Sequence, residues 1–177
     1  GAFAAVMDFS LQELANHCAG SVVTAGPTRL EAAGRRGVPQ IVAPGAIDMI
    51  DFPAWRPDGK AEEGRGFHAH NRLIASVAAS AEERCGVARL IARKLALAKG
   101  PTAYILPRGG VEAWDRPGEP MHDPQALEAF LGAARTSVPS NAELVEIDAH
   151  INDRAFADAA LAIFDRWVGA GRIAAAR

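Results

Sequence analysis

The chain has 177 residues, 19 basic against 21 acidic, for a net charge of −2, and 49% of its residues are apolar. That balance excludes a general pull toward nucleic acid or an anionic membrane, and the apolar content excludes disorder for most of the chain. Cys18 and Cys85 cannot form a disulfide framework and read as reduced thiols, which places the protein in the cytoplasm; no apolar run of membrane-spanning length and no charged-then-apolar leader occurs.

The chain opens directly on an apolar run, Phe3 to Met7, which reads as a strand ending at Asp8 and suggests a piece of a longer protein. Ser10 and Glu13 match a capping box, predicting a helix to about Ala19 with Leu11, Leu14 and Cys18 on one face and Gly20 as its stop. Ser21 to Ala25 reads as a second strand. Thr28 and Glu31 match another capping box, and that helix ends on Arg35-Arg36-Gly37. Gln40 to Ala43 is a third strand, closed by Pro44-Gly45. Ile47 to about Arg72 is a long irregular excursion with Pro53, Pro57, Gly59, Gly64 and Gly66, of a length that often carries function. Leu73 to Ala78 is another strand.

Ser80 and Glu83 form a third capping box, and Val87, Leu90, Ile91 and Leu95 give a helical stripe. Thr102 to Leu106 is a strand followed by Pro107-Arg108-Gly109-Gly110. Asp123-Pro124 places a cap and a first-turn proline before a helix with Leu127, Phe130 and Leu131. Glu143 to Ile147 is the last strand, and the last helix carries Phe156, Ile163 and Trp167. Strand and helix alternate at least four times, which predicts an α/β fold with a mainly parallel, doubly wound, Rossmann-like sheet and helices on both faces. Residues 1–168 form one domain in this reading, with 169–177 as a tail.

In such sheets ligands sit beyond the carboxyl ends of the strands, so the residues just after each strand are the candidates. Arg108, Gly109 and Gly110 suit a phosphate or carboxylate: paired glycines turn backbone N–H groups toward an anion and Arg108 adds a bidentate donor. The same residues also suit a plain turn with an exposed arginine. Asp148, His150 and Asn152 alternate through the loop after the last strand, an arrangement able to put all three on one side. His150 is the candidate acid–base group or ligand, while Asn152 or Asp153 also serves as a helix cap. Gly45 offers an unusual φ or a close backbone approach, and Asp48 a partner for a ribose hydroxyl or a cation.

His68 and His70 suit a metal only if a third ligand arrives from elsewhere, and with Arg72 beside them they read as a surface or anion-facing edge instead. The loop from Asp115 to Asp123 is a candidate lid, Trp55 and Trp114 are candidate contact aromatics, and Cys18 and Cys85 read as core. No G-x-x-x-x-G-K-[ST], G-x-G-x-x-G, G-x-S-x-G, C-x-x-C or H-E-x-x-H is present.

Nearly the whole chain resembles one family. The resemblance runs through Val6-Met7-Asp8-Phe9-Ser10 with Glu13-Leu14-Ala15, Ala25 to Leu30, Val38-Pro39-Gln40 and Pro44 to Met49. It continues through Asp51-Phe52, His70-Asn71, Leu106 to Val111, Pro117 to Pro120 and Asp148 to Asp153. These pieces resemble the second half of the uncharacterised bacterial and fungal proteins grouped with the N-terminal region of the tomato mosaic virus resistance protein. Asp51 stands where the family usually has Asn, which adds a negative charge.

The resemblance implies a Rossmann-like domain packed on an N-terminal domain of the same chain, ATP binding near the cleft between the two, and a homodimer. It names no reaction. Combined with strand-end position, it leads to a site for a nucleotide or another phosphorylated small molecule. Arg108, Gly109 and Gly110 would take anionic oxygens, and Asp48 and Asp148 would face a ribose or Mg2+. The rival readings are a binding or scaffold module working through dimer or partner contacts, and an enzyme on a small carboxylate or phosphorylated acid using His150.

Overall fold

The structure, a computed structural model, describes residues 3–55 and 64–173. The elements run β1 (Val6–Asp8), α1 (Gln12–Cys18), α2 (Ala32–Arg35), β2 (Gln40–Val42), β3 (Met49–Pro53), β4 (Phe67–His68) and β5 (Ile74–Ala78). They continue with α3 (Ala81–Leu95), β6 (Thr102–Pro107), a single 3-10 turn (Ala113–Asp115), α4 (Pro124–Ser137), β7 (Glu143–Ile147) and α5 (Arg154–Gly169).

Four strands form a parallel sheet in the order β1-β2-β6-β7. Residues along a strand alternate between faces, and here both faces are apolar. Val42, Tyr104 and Leu106 pack with Leu11 and Leu14 of the α1 segment, Ile91 and Leu95 of α3, and Phe130 and Leu131 of α4. Ile41, Ala43, Ala103 and Ile105 pack on the other side against Phe156, Ile163 and Trp167 of α5. Helices therefore cover both faces of a doubly wound, Rossmann-like sheet, as the alternation of apolar runs predicts. Ile173, beyond α5, is buried in that second core, while residues 174–177 lie outside the described residues.

The excursion after β2 is more regular than its composition predicts. β3, β5 and β4 form a second, antiparallel sheet around Ile50, Phe52, Ala75, Val77 and Ala79. Pro57 and Gly59 of that excursion lie outside the described residues.

The expected strand over Ser21–Ala25 does not form. The Ser21 hydroxyl accepts the Val23 N–H at 3.0 Å and the Thr24 hydroxyl accepts the Gly26 N–H at 3.2 Å. These local side-chain turns take the donors a ladder would need, and Val22 is left exposed.

Two of the three capping boxes also fail. Leu11, not Ser10, is the N-cap of α1; its side chain is drawn fully into the core and its N–H donates to the Gly45 carbonyl at 2.9 Å. At Thr28 the chain makes a turn ending on Leu30 at φ 74°, and only a four-residue helix follows. The Glu31 carboxylate goes to Lys94 at 3.0 Å and to Arg35 instead of to a cap. The third box is complete: the Ser80 hydroxyl accepts the Glu83 N–H and the Glu83 carboxylate accepts the Ser80 N–H. Asp123 caps α4 through the Ala126 N–H at 2.9 Å, with Pro124 in the first turn. Gly20 and Gly37, both with positive φ, close α1 and α2. Cys18, expected in the core, is exposed; Cys85 is half-buried with its thiol against the Ala129 carbonyl.

Candidate functional site

The carboxyl ends of the parallel strands hold two depressions. The larger, about 350 Å³, is walled by Ser10 after β1, Gly45 and Ala46 after β2, Glu112 and Ala113 after β6, and Asn152 after β7. Segments following all four strands of the parallel sheet thus meet at one place. Gly45 makes this closeness possible: a Cβ there would stand 2.0 Å from the Phe9 carbonyl oxygen, so the requirement is close approach and not an unusual φ. The smaller depression, about 150 Å³, is walled by Arg84, Arg108, Gly109, Asp115, His122 and the start of α4.

Between them lies a locked loop centred on His150, which is buried. Its Nε2 faces two acceptors, the Glu112 carbonyl at 2.8 Å and Asp115 Oδ1 at 2.9 Å. Its Nδ1 faces two donors, the Asn152 N–H at 3.0 Å and Arg116 Nη2 at 3.2 Å. Acceptors on one side and donors on the other place the ring proton on Nε2. With both nitrogens engaged, His150 has the surroundings of a latch, where its residue type and position suggest an acid–base group.

Asp115 also accepts the Val111 N–H, tying the latch to the chain just after β6. Asp153, expected as a cap, makes no cap bond; its carboxylate accepts the His150 N–H at 2.9 Å and pairs with Arg116 at 2.9 Å. That pairing with Arg116 first, then the His150 N–H, holds the Asp153 carboxyl below its usual pKa.

The glycines after Arg108 serve this lock. A Cβ on Gly109 would meet the His150 nitrogen at 2.7 Å, and one on Gly110 would meet Asp115 Oδ1 at 2.4 Å. Gly110 also sits at φ 128°. The Gly109 N–H is spent on the Ala149 carbonyl at 2.9 Å, so it does not point at an anion. Arg108 stays at the surface, its side chain 47% exposed, with a long contact of 3.5 Å to Asp148, itself 88% exposed. Asp148 and Asn152 are exposed and His150 is buried, so the three do not share one side of the loop.

Beneath the rim are buried polar side-chain atoms without a hydrogen-bond partner among the described residues. Asp48 is fully buried, and neither carboxylate oxygen has a partner among the described residues. Burial pushes its pKa up to about 8; Arg84 opposes this, while Glu112 and Asp115 add to it. Asp48 therefore carries a proton at neutral pH and is sealed from a ribose or a cation, in contrast to the rim position expected for it. Glu112 is also buried, with Oε1 unpaired, and its pKa is raised first by burial. Arg84 donates through Nε to the Ala79 carbonyl at 2.9 Å and leaves Nη2 without a partner among the described residues.

Arg84 was hidden in the sequence by its neighbours, yet its spacing carries a signal. It stands seven before Ile91 and four before Ala88, in line with the buried stripe of α3. A charge on an apolar stripe is buried with a partner or at a site. Trp114, in the 3-10 turn, stacks on His68 of β4 with ring centroids 3.8 Å apart, so the second sheet leans on the loop that carries Glu112 and Asp115. A larger depression, about 490 Å³, lies elsewhere, against the outer edge of β1. Its walls are mainly apolar, and Asp8 and Arg29 there satisfy each other at 2.8 Å. It offers less unspent chemistry than the strand ends.

Fold and rim together define an α/β domain of the doubly wound class with its open crevice at the carboxyl end of a parallel sheet. The comparisons sharpen this: residues 1–168 match the C-terminal domain of the uncharacterised protein family UPF0261, and the chain belongs to that family. It is 56% identical over 169 residues to a UPF0261 protein of Brucella melitensis, covering 96% of this chain and 40% of that protein. A UPF0261 protein of Clostridium tetani is 34% identical over 153 residues, covering 86% of this chain and 38% of that protein. The ToMV resistance protein Tm-1 of Solanum lycopersicum is 28% identical over 156 residues, or 87% of this chain and 21% of that protein. The chain thus spans about 40% of the length of its Brucella relative. No helix among the described residues is long and apolar enough to cross a membrane.

Proposed function

We propose that this domain forms one wall of a binding site for a nucleotide or another phosphorylated small molecule, with ATP and Mg2+ the first ligands to test. The N-terminal domain of the longer family members would supply the facing wall. The observation that carries this reading is the depression of about 350 Å³ where the segments after β1, β2, β6 and β7 converge. Its size falls in the range of small-molecule sites, and its place is where doubly wound sheets bind ligands. Asp148, exposed beside Arg108, would be the carboxylate offered to a hydrated cation in this reading. No hydrolytic or redox motif accompanies the crevice, and the lock on His150 favours binding over turnover.

The test is isothermal titration of ATP–Mg2+ into this protein and into a full-length family member. Ala113 is exposed and lines the depression, so Ala113→Glu adds a carboxylate there without disturbing the core. Binding weakened by about tenfold or more in that variant is expected, equivalent to roughly 1.4 kcal/mol of charge repulsion. Binding unchanged by Ala113→Glu, or no heat from either protein, overturns the reading. A second reading, a module that docks a protein or a second copy of itself, draws on the exposed apolar residues Phe67 of the second sheet and Trp55 and Leu73 just outside its strands.

A further inference from the structure

The geometry points to a phosphoryl subsite in the smaller depression, at the N-terminus of α4, held by Arg84 and Arg108. It deepens the reading above and rests on it for the rest of the ligand, but it is tested separately. At about 150 Å³ the depression is below the size of small-molecule sites and has room for a tetrahedral oxyanion. Asp123 and Pro124 line it, so the positive end of a 14-residue helix faces it.

A helix end alone is not a site; the second observation is Arg84. Arg84 as a whole is only 1% exposed, lines the depression, and has Nη2 without a partner among the described residues. A buried cation with an unused donor is costly, and an oxyanion in this depression would supply the missing acceptor. Arg108 lines the same depression from the end of β6, and its 3.5 Å contact with the exposed Asp148 is easily exchanged.

The acidic residues of the wall are already spent. Asp115 accepts from Val111 and His150, and Asp123 accepts from Ala126. His122 is engaged through Nδ1 with the Asp115 carbonyl. Two guanidiniums and a helix N-terminus suit a group with three terminal oxygens, a phosphoryl, better than a carboxylate with two.

The probe is inorganic phosphate, titrated at constant ionic strength into labelled protein and followed by amide chemical shifts, with acetate in parallel. Saturable shifts confined to residues 108–110 and 125–127 are expected. Arg108→Ala, a half-exposed change that leaves the core alone, should weaken phosphate by about tenfold, equivalent to one charge-assisted contact of roughly 1.4 kcal/mol. Arg84→Lys keeps the buried charge but loses the fork, and should weaken it similarly.

Shifts that scatter over surface arginines without saturating overturn the subsite. So does unchanged affinity in Arg108→Ala, or acetate saturating these amides as well as phosphate. Ala113→Glu separates the two proposals, because it blocks the larger depression only. Phosphate bound at α4 with no ATP bound refutes the nucleotide reading and keeps the subsite; ATP bound with no phosphate response at α4 refutes the subsite alone.

Discussion

Asp48 gives the sharpest quantitative test of the buried cluster. In the folded protein it keeps its proton to about pH 8, against an ordinary carboxyl value of 3.8. Between those values the folded chain binds more protons than the unfolded one, so raising the pH through this window destabilises the fold. At 1.36 kcal/mol per pKa unit, the penalty from this one group reaches about 2 kcal/mol at pH 5 and about 4 kcal/mol at pH 7. Above pH 8 it stops growing, because both states are then ionised. A domain's whole stability is roughly 5–15 kcal/mol, so the effect is large.

Asn at this position has nearly the same shape and does not titrate. Urea unfolding of the parent and of Asp48→Asn at pH 5, 7 and 9 should therefore diverge. The parent should lose about 2–3 kcal/mol more than the variant between pH 5 and pH 7, and the variant should be the more stable at pH 9. Glu112, whose pKa is also raised by burial, acts in the same direction and is coupled to Asp48, so the difference between the two proteins reports Asp48 together with that coupling. Parallel pH profiles for the two proteins would refute the claim that Asp48 is buried with its proton and without a partner.

Two further substitutions test the frame of the rim. Gly45→Ala brings a Cβ to 2.0 Å from the Phe9 carbonyl oxygen, a backbone atom with no rotamer to yield. It should cost about 2–4 kcal/mol in thermal or urea unfolding, and a loss below about 0.5 kcal/mol would remove the close-approach argument. His150→Gln cannot satisfy the Glu112 carbonyl and Asp115 at Nε2 while accepting from Asn152 and Arg116. A loss of about 2–3 kcal/mol is expected, with faster hydrogen exchange at the Val111 amide that Asp115 holds. Unchanged stability and exchange would return His150 to the acid–base role that its residue type suggests.

What was legible in the sequence depended on how far each side chain's partner lay along the chain. The Ser80–Glu83 box and the Asp123–Pro124 start of α4 are settled within three residues, and they form. The apolar runs that became β2 and β6 are buried on both faces, so their order and type survive any local detail. Ser10 and Thr28 carry the same capping pattern as Ser80, yet Leu11 is pulled into the core toward Gly45 and Glu31 is taken by Lys94, 63 residues away. Ser21 to Ala25 has the composition of a strand, but the Ser21 and Thr24 hydroxyls take the Val23 and Gly26 N–H groups and close local turns.

The rim divides in the same way. Position after a strand is local knowledge, and it brought Gly45, Arg108, Gly109 and Asn152 to the two depressions at the carboxyl end. Burial is not local. How Asp48 titrates depends on its burial and on the charges of Arg84, Glu112 and Asp115, which come from α3 and the loop after β6. Whether His150 has a free nitrogen depends on Glu112, Asp115 and Arg116, between 34 and 38 residues earlier in the chain. The sequence by itself determined the doubly wound class and the end of the sheet where a ligand would sit, because periodicity and turn chemistry act over a few residues. Only the tertiary structure decided which charges are sealed, which are spent and which remain open, because desolvation and pairing are properties of segments that meet only once the chain has folded.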